Sequence, residues 1–146
     1  MTRSRALAGL RGCASKPRSK DCGDWAADFL INSYRQGDKA VLKSLLDAWP
    51  YSDGAMSEGL GTFYSDLLYK HPRTFLRAIA GRAKKERYKL CMAAGETDGS
   101  GMYDPILRDV RMRLRRIAAE RHNGLAPIAR ACAKAVNEAN RRVKGQ

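Results

Sequence analysis

Helix-breaking residues divide the apolar pattern of this chain into short helical segments. From Trp25 onward, apolar side chains recur three, four and five residues apart, which is the spacing of an amphipathic helix. Gly37, Pro50, Pro72 and Gly124 interrupt this spacing and confine each helix to a few turns. No segment shows a convincing strand pattern. The sequence therefore predicts an all-α fold.

About seven short helices follow from the apolar spacing and the breakers. Asp24 and Asp38 are expected to cap the first two helices, and Gly37 joins them so closely that they must turn back on each other. The predicted helices cover residues 25–36, 39–49, 55–70, 72–81, 84–94, 104–122 and 127–143. Helices this short cannot bury their apolar faces alone. We expect them to stack as antiparallel hairpins, in an α-solenoid-like array or an irregular helical bundle.

In outline, this arrangement resembles the helical-hairpin arrays of the HEAT and armadillo class. The resemblance covers Asp24 to Val143 and is carried by the helix lengths and by the spacing of the breakers. It implies a binding surface formed by the stacked hairpins.

The length of 146 residues is that of one ordinary domain. Residues 1–23 contain Gly, Ser, Pro and Arg with little apolar periodicity, so we predict a flexible basic arm there and a single all-α domain over residues 24–146. The arm has the composition of an organellar presequence, but it equally suits a nucleic-acid-binding arm or a wrongly chosen start codon. No apolar run is long enough to predict a membrane span.

The four cysteines show no metal-binding spacing. Cys13, Cys22, Cys91 and Cys132 are separated by nine, sixty-nine and forty-one residues, which excludes zinc-finger patterns. Cys91 and Cys132 lie on apolar helical faces, where we predict reduced cysteines that act as small hydrophobes. Reduced cysteines indicate a reducing compartment. The expected location is cytoplasmic, or organellar if the arm is a presequence.

The net charge of +13 is distributed unevenly along the chain. Residues 1–20 carry six bases and no acid, residues 21–69 carry three bases and eight acids, and residues 70–146 carry nineteen bases and seven acids. A chain polarised in this way favours an anionic partner for its second half.

Two basic stretches are the candidate binding sites. Residues 70–89 hold eight bases and one acid, and residues 108–121 hold six arginines and two acids. On the long helix, the apolar face of Ile106, Val110, Leu114 and Ile117 is predicted to point inward, with arginines opposite. The simpler alternative is a solvated helix face. The residues predicted to bind an anionic partner or phosphate are Arg73, Arg77, Lys84, Lys85, Arg87, Lys89, Arg111 and Arg115.

No catalytic or cofactor site is predicted. Ser57 lies in an elbow-like sequence, but no strand precedes it as that motif requires. Residues 96–104 partly follow a calcium-loop pattern, yet Leu107 stands where the bidentate carboxylate is needed. We expect a loop there whose Asp104 caps the next helix, and neither a metal nor a cofactor.

Two functions fit these observations. The first is a non-enzymatic helical interaction module that binds a protein partner. The alternative is a sequence-nonspecific nucleic-acid-binding protein that contacts the phosphate backbone, since no base-reading motif is present. Self-association is a further possibility, in which the basic half of one copy binds the acidic half of a neighbouring copy.

Overall fold

The computed structural model describes residues 2–15, 22–96, 104–120 and 124–144. Within these ranges the chain is helical and contains no strand, so the predicted all-α class is confirmed. Short 3-10 turns at Lys39–Val41 and Trp49–Tyr51 flank the third α-helix. The α-helices are α1 (Arg3–Ser15), α2 (Asp24–Arg35), α3 (Leu42–Asp47), α4 (Gly54–Lys70), α5 (Pro72–Ile79), α6 (Lys84–Gly95), α7 (Asp104–Ala119) and α8 (Ala126–Lys144).

The breakers act where the sequence places them, but the predicted caps do so only in part. Gly37 follows α2 with a φ of 115°, a conformation that residues with a side chain rarely adopt. Gly23, and not Asp24, is the N-cap of α2, and no side chain caps that helix. Asp38 is the N-cap residue of the turn that starts at Lys39, as predicted, but its side chain makes no capping hydrogen bond. Its Oδ2 accepts a 2.7 Å hydrogen bond from Arg3 Nε instead.

The chain divides into two compact units, Met1–Phe63 and Tyr64–Gln146, with the boundary inside α4. In the first unit, α1 and α3 pack against α2. Tyr34 and Phe63 form an edge-to-face pair with ring centroids 5.4 Å apart in its buried part. In the second unit, α8 packs against both α6 and α7, and α5 packs against α7.

Helix α1 occupies part of the region predicted to be a flexible arm. Ala6, Leu10 and Cys13 recur at i, i+4 and i+7 and are buried, so they form a narrow apolar stripe that faces α2. The guanidinium of Arg5 lies 5.9 Å from the centroid of the Trp25 ring. Residues 3–15, which the sequence analysis assigned to a flexible arm, form this helix, because three small or aliphatic side chains suffice when a neighbouring helix covers them.

Both cysteine pairs are disulfides, which corrects the prediction of reduced cysteines. Cys13 and Cys22 are joined with Cα atoms 4.7 Å apart, and Cys91 and Cys132 with Cα atoms 5.3 Å apart. The apolar faces were predicted correctly, but packing brings those of α6 and α8 together and places the two thiols within bonding distance. Structural disulfides are typical of oxidising compartments, so the cysteines do not support a reducing one.

Helices α6 and α8 approach very closely. Gly95 lies against the backbone of Val136. Gly95 comes four residues after Cys91 on α6, and Val136 comes four residues after Cys132 on α8. The two helices therefore run in the same direction. Helix α7 turns Leu107, Val110, Leu114 and Ile117 into the core, whereas Ile106, predicted inward, is only half-buried. Over the ranges described above, no helix is both long and apolar enough to cross a bilayer.

Candidate functional site

The second unit carries most of the excess positive charge. Residues 64–146 contain nineteen bases and eight acids, whereas residues 1–63 contain nine and seven. Few of these bases have a carboxylate partner among the residues described. The ion pairs of this unit are Lys70–Asp66, Arg73–Glu120, Arg82–Glu86 and Arg142–Glu138. The remaining cations repel one another and attract anions.

Among the predicted binding residues, Arg73 alone is held by a carboxylate that the structure describes. Its two terminal nitrogens each donate a hydrogen bond to one oxygen of Glu120, and the Nη1–Oε2 distance is 3.0 Å. The hydrogen bond to Glu120 raises the pKa of the Arg73 guanidinium. On its own helix, Glu120 lies four residues after Arg116, a spacing that allows an ion pair. The pairing with Arg73 depends instead on α5 packing against α7, which local spacing does not reveal.

The predicted cations around the start of α6 are mostly exposed. Arg77, Lys84, Lys85 and Lys89 are exposed and form no ion pair with another described residue. Arg87 is half-buried, and its Nη1 donates a 2.6 Å hydrogen bond to the carbonyl of Arg82. This bond fixes the guanidinium next to the first turn of α6.

The two predicted arginines of α7 differ in their surroundings. Arg115 is exposed and has no ion pair within the described chain. Arg111 is half-buried, and its Nε is shielded from solvent without a hydrogen-bond partner there. The Arg113 guanidinium lies 5.3 Å from the centroid of the Tyr69 ring. Of the predicted pair, only Arg115 is fully available to a partner.

Three members of an exposed surface on α7 were not among the predicted binding residues. We define the α7 outer face by Arg108, Met112, Arg115 and Arg116, which recur at i, i+4, i+7 and i+8 and are all exposed. Met112 is 51% exposed, more than Tyr51 and Tyr88, the other exposed large apolar residues of the described chain. The helical projection that identified Arg115 would also have placed Met112 beside it.

The other motifs of the sequence gain no chemical partner in the described chain. The Ser57 hydroxyl donates a 2.9 Å hydrogen bond to the Ser52 hydroxyl. Residues 97–103 of the calcium-like loop lie outside the described residues. No group of three or more His, Cys, Asp and Glu side chains that could hold a metal occurs in the part of the chain that the structure describes.

Neither a protein-family model, nor a curated protein, nor a solved structure matches this chain.

Proposed function

We propose that the second unit is a non-catalytic interaction module that binds an acidic protein partner through the α7 outer face. The observation that carries the proposal is the exposed Met112 surrounded by Arg108, Arg115 and Arg116. Arginine and methionine are both enriched at protein interfaces. A partner with an apolar pocket for Met112 and carboxylates around it would match this surface.

The mixed character of the surface favours a protein over a phosphate backbone. Phosphates are recognised by cations and hydrogen-bond donors, and an exposed thioether adds nothing to that recognition. The disulfides favour an oxidising compartment over the predicted cytoplasm, and nucleic acid is scarce outside cells. The resemblance to HEAT and armadillo arrays belongs to the same proposal, since those folds bind through stacked helices.

Nucleic-acid binding remains the second candidate because of one specific observation. The second unit has eleven more bases than acids over 83 residues, and most of its cations have no ion pair among the residues described. Such a surface would bind phosphates without sequence preference and with a steep dependence on salt.

Three variants separate the two functions. Arg115→Glu reverses a charge on the α7 outer face, Lys134→Glu makes the same change at an exposed position of α8, and Met112→Gln removes only apolar character. The variants are used to capture protein from a nuclease-treated extract of the source cells, and separately in fluorescence titrations with oligonucleotides at two salt concentrations. The dissociation constant for the captured partner is then measured.

For a protein partner we expect Arg115→Glu and Met112→Gln each to raise the dissociation constant about tenfold, and Lys134→Glu to leave it unchanged. If the protein binds nucleic acid, both charge reversals should lower its affinity for the oligonucleotide, and Met112→Gln should leave that affinity unchanged. Capture that is indifferent to the α7 outer face refutes the proposal, and so does the absence of any captured protein.

A further inference from the structure

A groove of about 390 Å³ opens in the second unit, between the end of α5, the first turns of α6 and the start of α8. Its walls are largely apolar. Ile79, Ile128 and Ala131 line it, together with the disulfide between Cys91 and Cys132. The volume lies within the range of ~300–1,000 Å³ that is usual for small-molecule sites.

Among the described residues, the groove is bordered by cations and by no acid. Lys84, Lys85 and Arg87 belong to its lining, and none of the lining residues that the structure describes is an aspartate or glutamate. Arg87 is oriented by its hydrogen bond to the Arg82 carbonyl, and its other N–H groups make no hydrogen bond to a described residue.

The nearby carboxylates are already engaged. The Glu86 Oε2 atom lies 3.8 Å from Nη1 of Arg82. Glu138 accepts a 2.8 Å hydrogen bond from Arg142 and another from the hydroxyl of Tyr88, a lining residue. The positive potential at the groove is therefore only partly neutralised by the protein itself.

These two properties select one class of ligand. The apolar walls offer no hydrogen bonds to a sugar or a nucleoside, whose buried polar groups would remain unpaired at a high cost. An aliphatic chain has no polar group that would be left without a hydrogen bond there. The cations at the border can form charge-assisted hydrogen bonds with a carboxylate. We propose that this groove binds an aliphatic carboxylate, with its chain against Ile128, Ala131 and the disulfide and its carboxylate toward Lys84, Lys85 and Arg87.

The proposal is independent of the α7 outer face, and it is tested with decanoate on the full, oxidised chain. Calorimetric titrations compare decanoate with decanol and decyltrimethylammonium, which keep the chain but change its charge, and with acetate, which keeps only the carboxylate. All are used below their micelle-forming concentrations. We expect saturable binding of decanoate, weaker binding of decanol, and none of the other two.

Two sets of variants locate the site. Ala131→Trp fills the groove from an exposed position and should weaken decanoate binding at least tenfold, and the smaller Ala131→Met should weaken it less. The double variant Lys84→Gln, Lys85→Gln should weaken decanoate binding by only about threefold to tenfold, because exposed ion pairs are individually weak. Decanol binding should be unaffected, since decanol carries no charge. Lys134→Gln, at an exposed α8 position outside the groove, is the matched control and should change nothing.

Several results would overturn the assignment. They are a lack of saturable decanoate binding, equal binding of decyltrimethylammonium, or saturable binding of acetate alone. Unchanged binding in both Ala131 variants, each verified as folded by circular dichroism, would likewise place the ligand elsewhere.

Discussion

Replacing Gly95 by alanine tests the close approach of α6 and α8. A Cβ atom at this position would lie 2.8 Å from the Cα of Val136 and 3.0 Å from its carbonyl oxygen. Carbon atoms in contact are normally about 3.5–4.0 Å apart. Both neighbouring atoms belong to the backbone, so no side-chain rotation relieves the clash. The helices would have to separate next to the disulfide that joins them.

The magnitude follows from two opposing effects. Overpacking of a tight interface costs about 1–3 kcal/mol. Alanine in place of glycine gains at most about 1 kcal/mol through helix propensity. We therefore expect Gly95→Ala to lower the free energy of unfolding by about 1–2 kcal/mol. The additional change Val136→Ala removes only the 3.2 Å contact with Cγ1 and should not restore stability.

Gly59→Ala is the matched control. Gly59 lies inside α4, and the nearest atom to a Cβ there is the Asp28 Oδ1 at 3.6 Å, an ordinary contact. The same substitution should therefore raise the free energy of unfolding by about 0.5–1 kcal/mol. Urea denaturation followed by far-ultraviolet circular dichroism measures both variants. If Gly95→Ala stabilises the protein as much as Gly59→Ala does, the α6–α8 packing described above is incorrect.

Three further predictions address the disulfide, the faces of α7 and a buried tyrosine. Replacing both Cys91 and Cys132 by alanine should lower the free energy of unfolding by about 4 kcal/mol, because the disulfide no longer closes a loop with a sequence separation of 41 residues in the unfolded chain. Urea denaturation measures this loss. Thiols of the unsubstituted, folded protein that react with Ellman's reagent would contradict the pairing. Leu114→Asp should unfold the second unit, since an unpaired carboxylate in an apolar core costs several kcal/mol. Arg115→Glu should leave the melting temperature unchanged. If thermal melts show equal losses of melting temperature in both variants, the buried and exposed faces of α7 are assigned wrongly. Burial raises the pKa of Tyr34 above its usual value of about 10. Its contribution to stability is therefore complete below that pH and is lost as the pH rises through the raised pKa, so Tyr34→Phe should flatten the decline of unfolding free energy in alkali, and an identical pH profile would argue against it.

Much of the fold could be predicted because helix formation is local. Hydrogen bonds four residues apart and breakers such as Pro72 act within one turn, so α5 begins where the sequence indicates. Apolar spacing likewise identified Val110, Leu114 and Ile117 as the buried side of α7. It did not detect α1, whose small buried side chains provide a weak signal until α2 covers them.

The candidate site was only partly predictable, because availability depends on neighbours that are distant in sequence. Arg73 and Arg115 both belong to basic stretches of the chain, yet Arg73 is held by Glu120, 47 residues away, and Arg115 is exposed. Met112 was overlooked because the projection was used to find cations. The groove beside the disulfide could not be foreseen, since it is formed by three helices.

The amino-acid sequence alone determined the helical class, the positions of most breaks and the uneven distribution of charge, because these depend on residue type and on interactions within a few residues. Tertiary packing decided which cysteines join, which arginines are held by carboxylates and where an apolar groove meets free cations. These outcomes require two helices to present particular residues to each other at a particular distance. Cys91 with Cys132 and Gly95 with Val136 are such pairs, and the spacing of residues along one helix does not specify them.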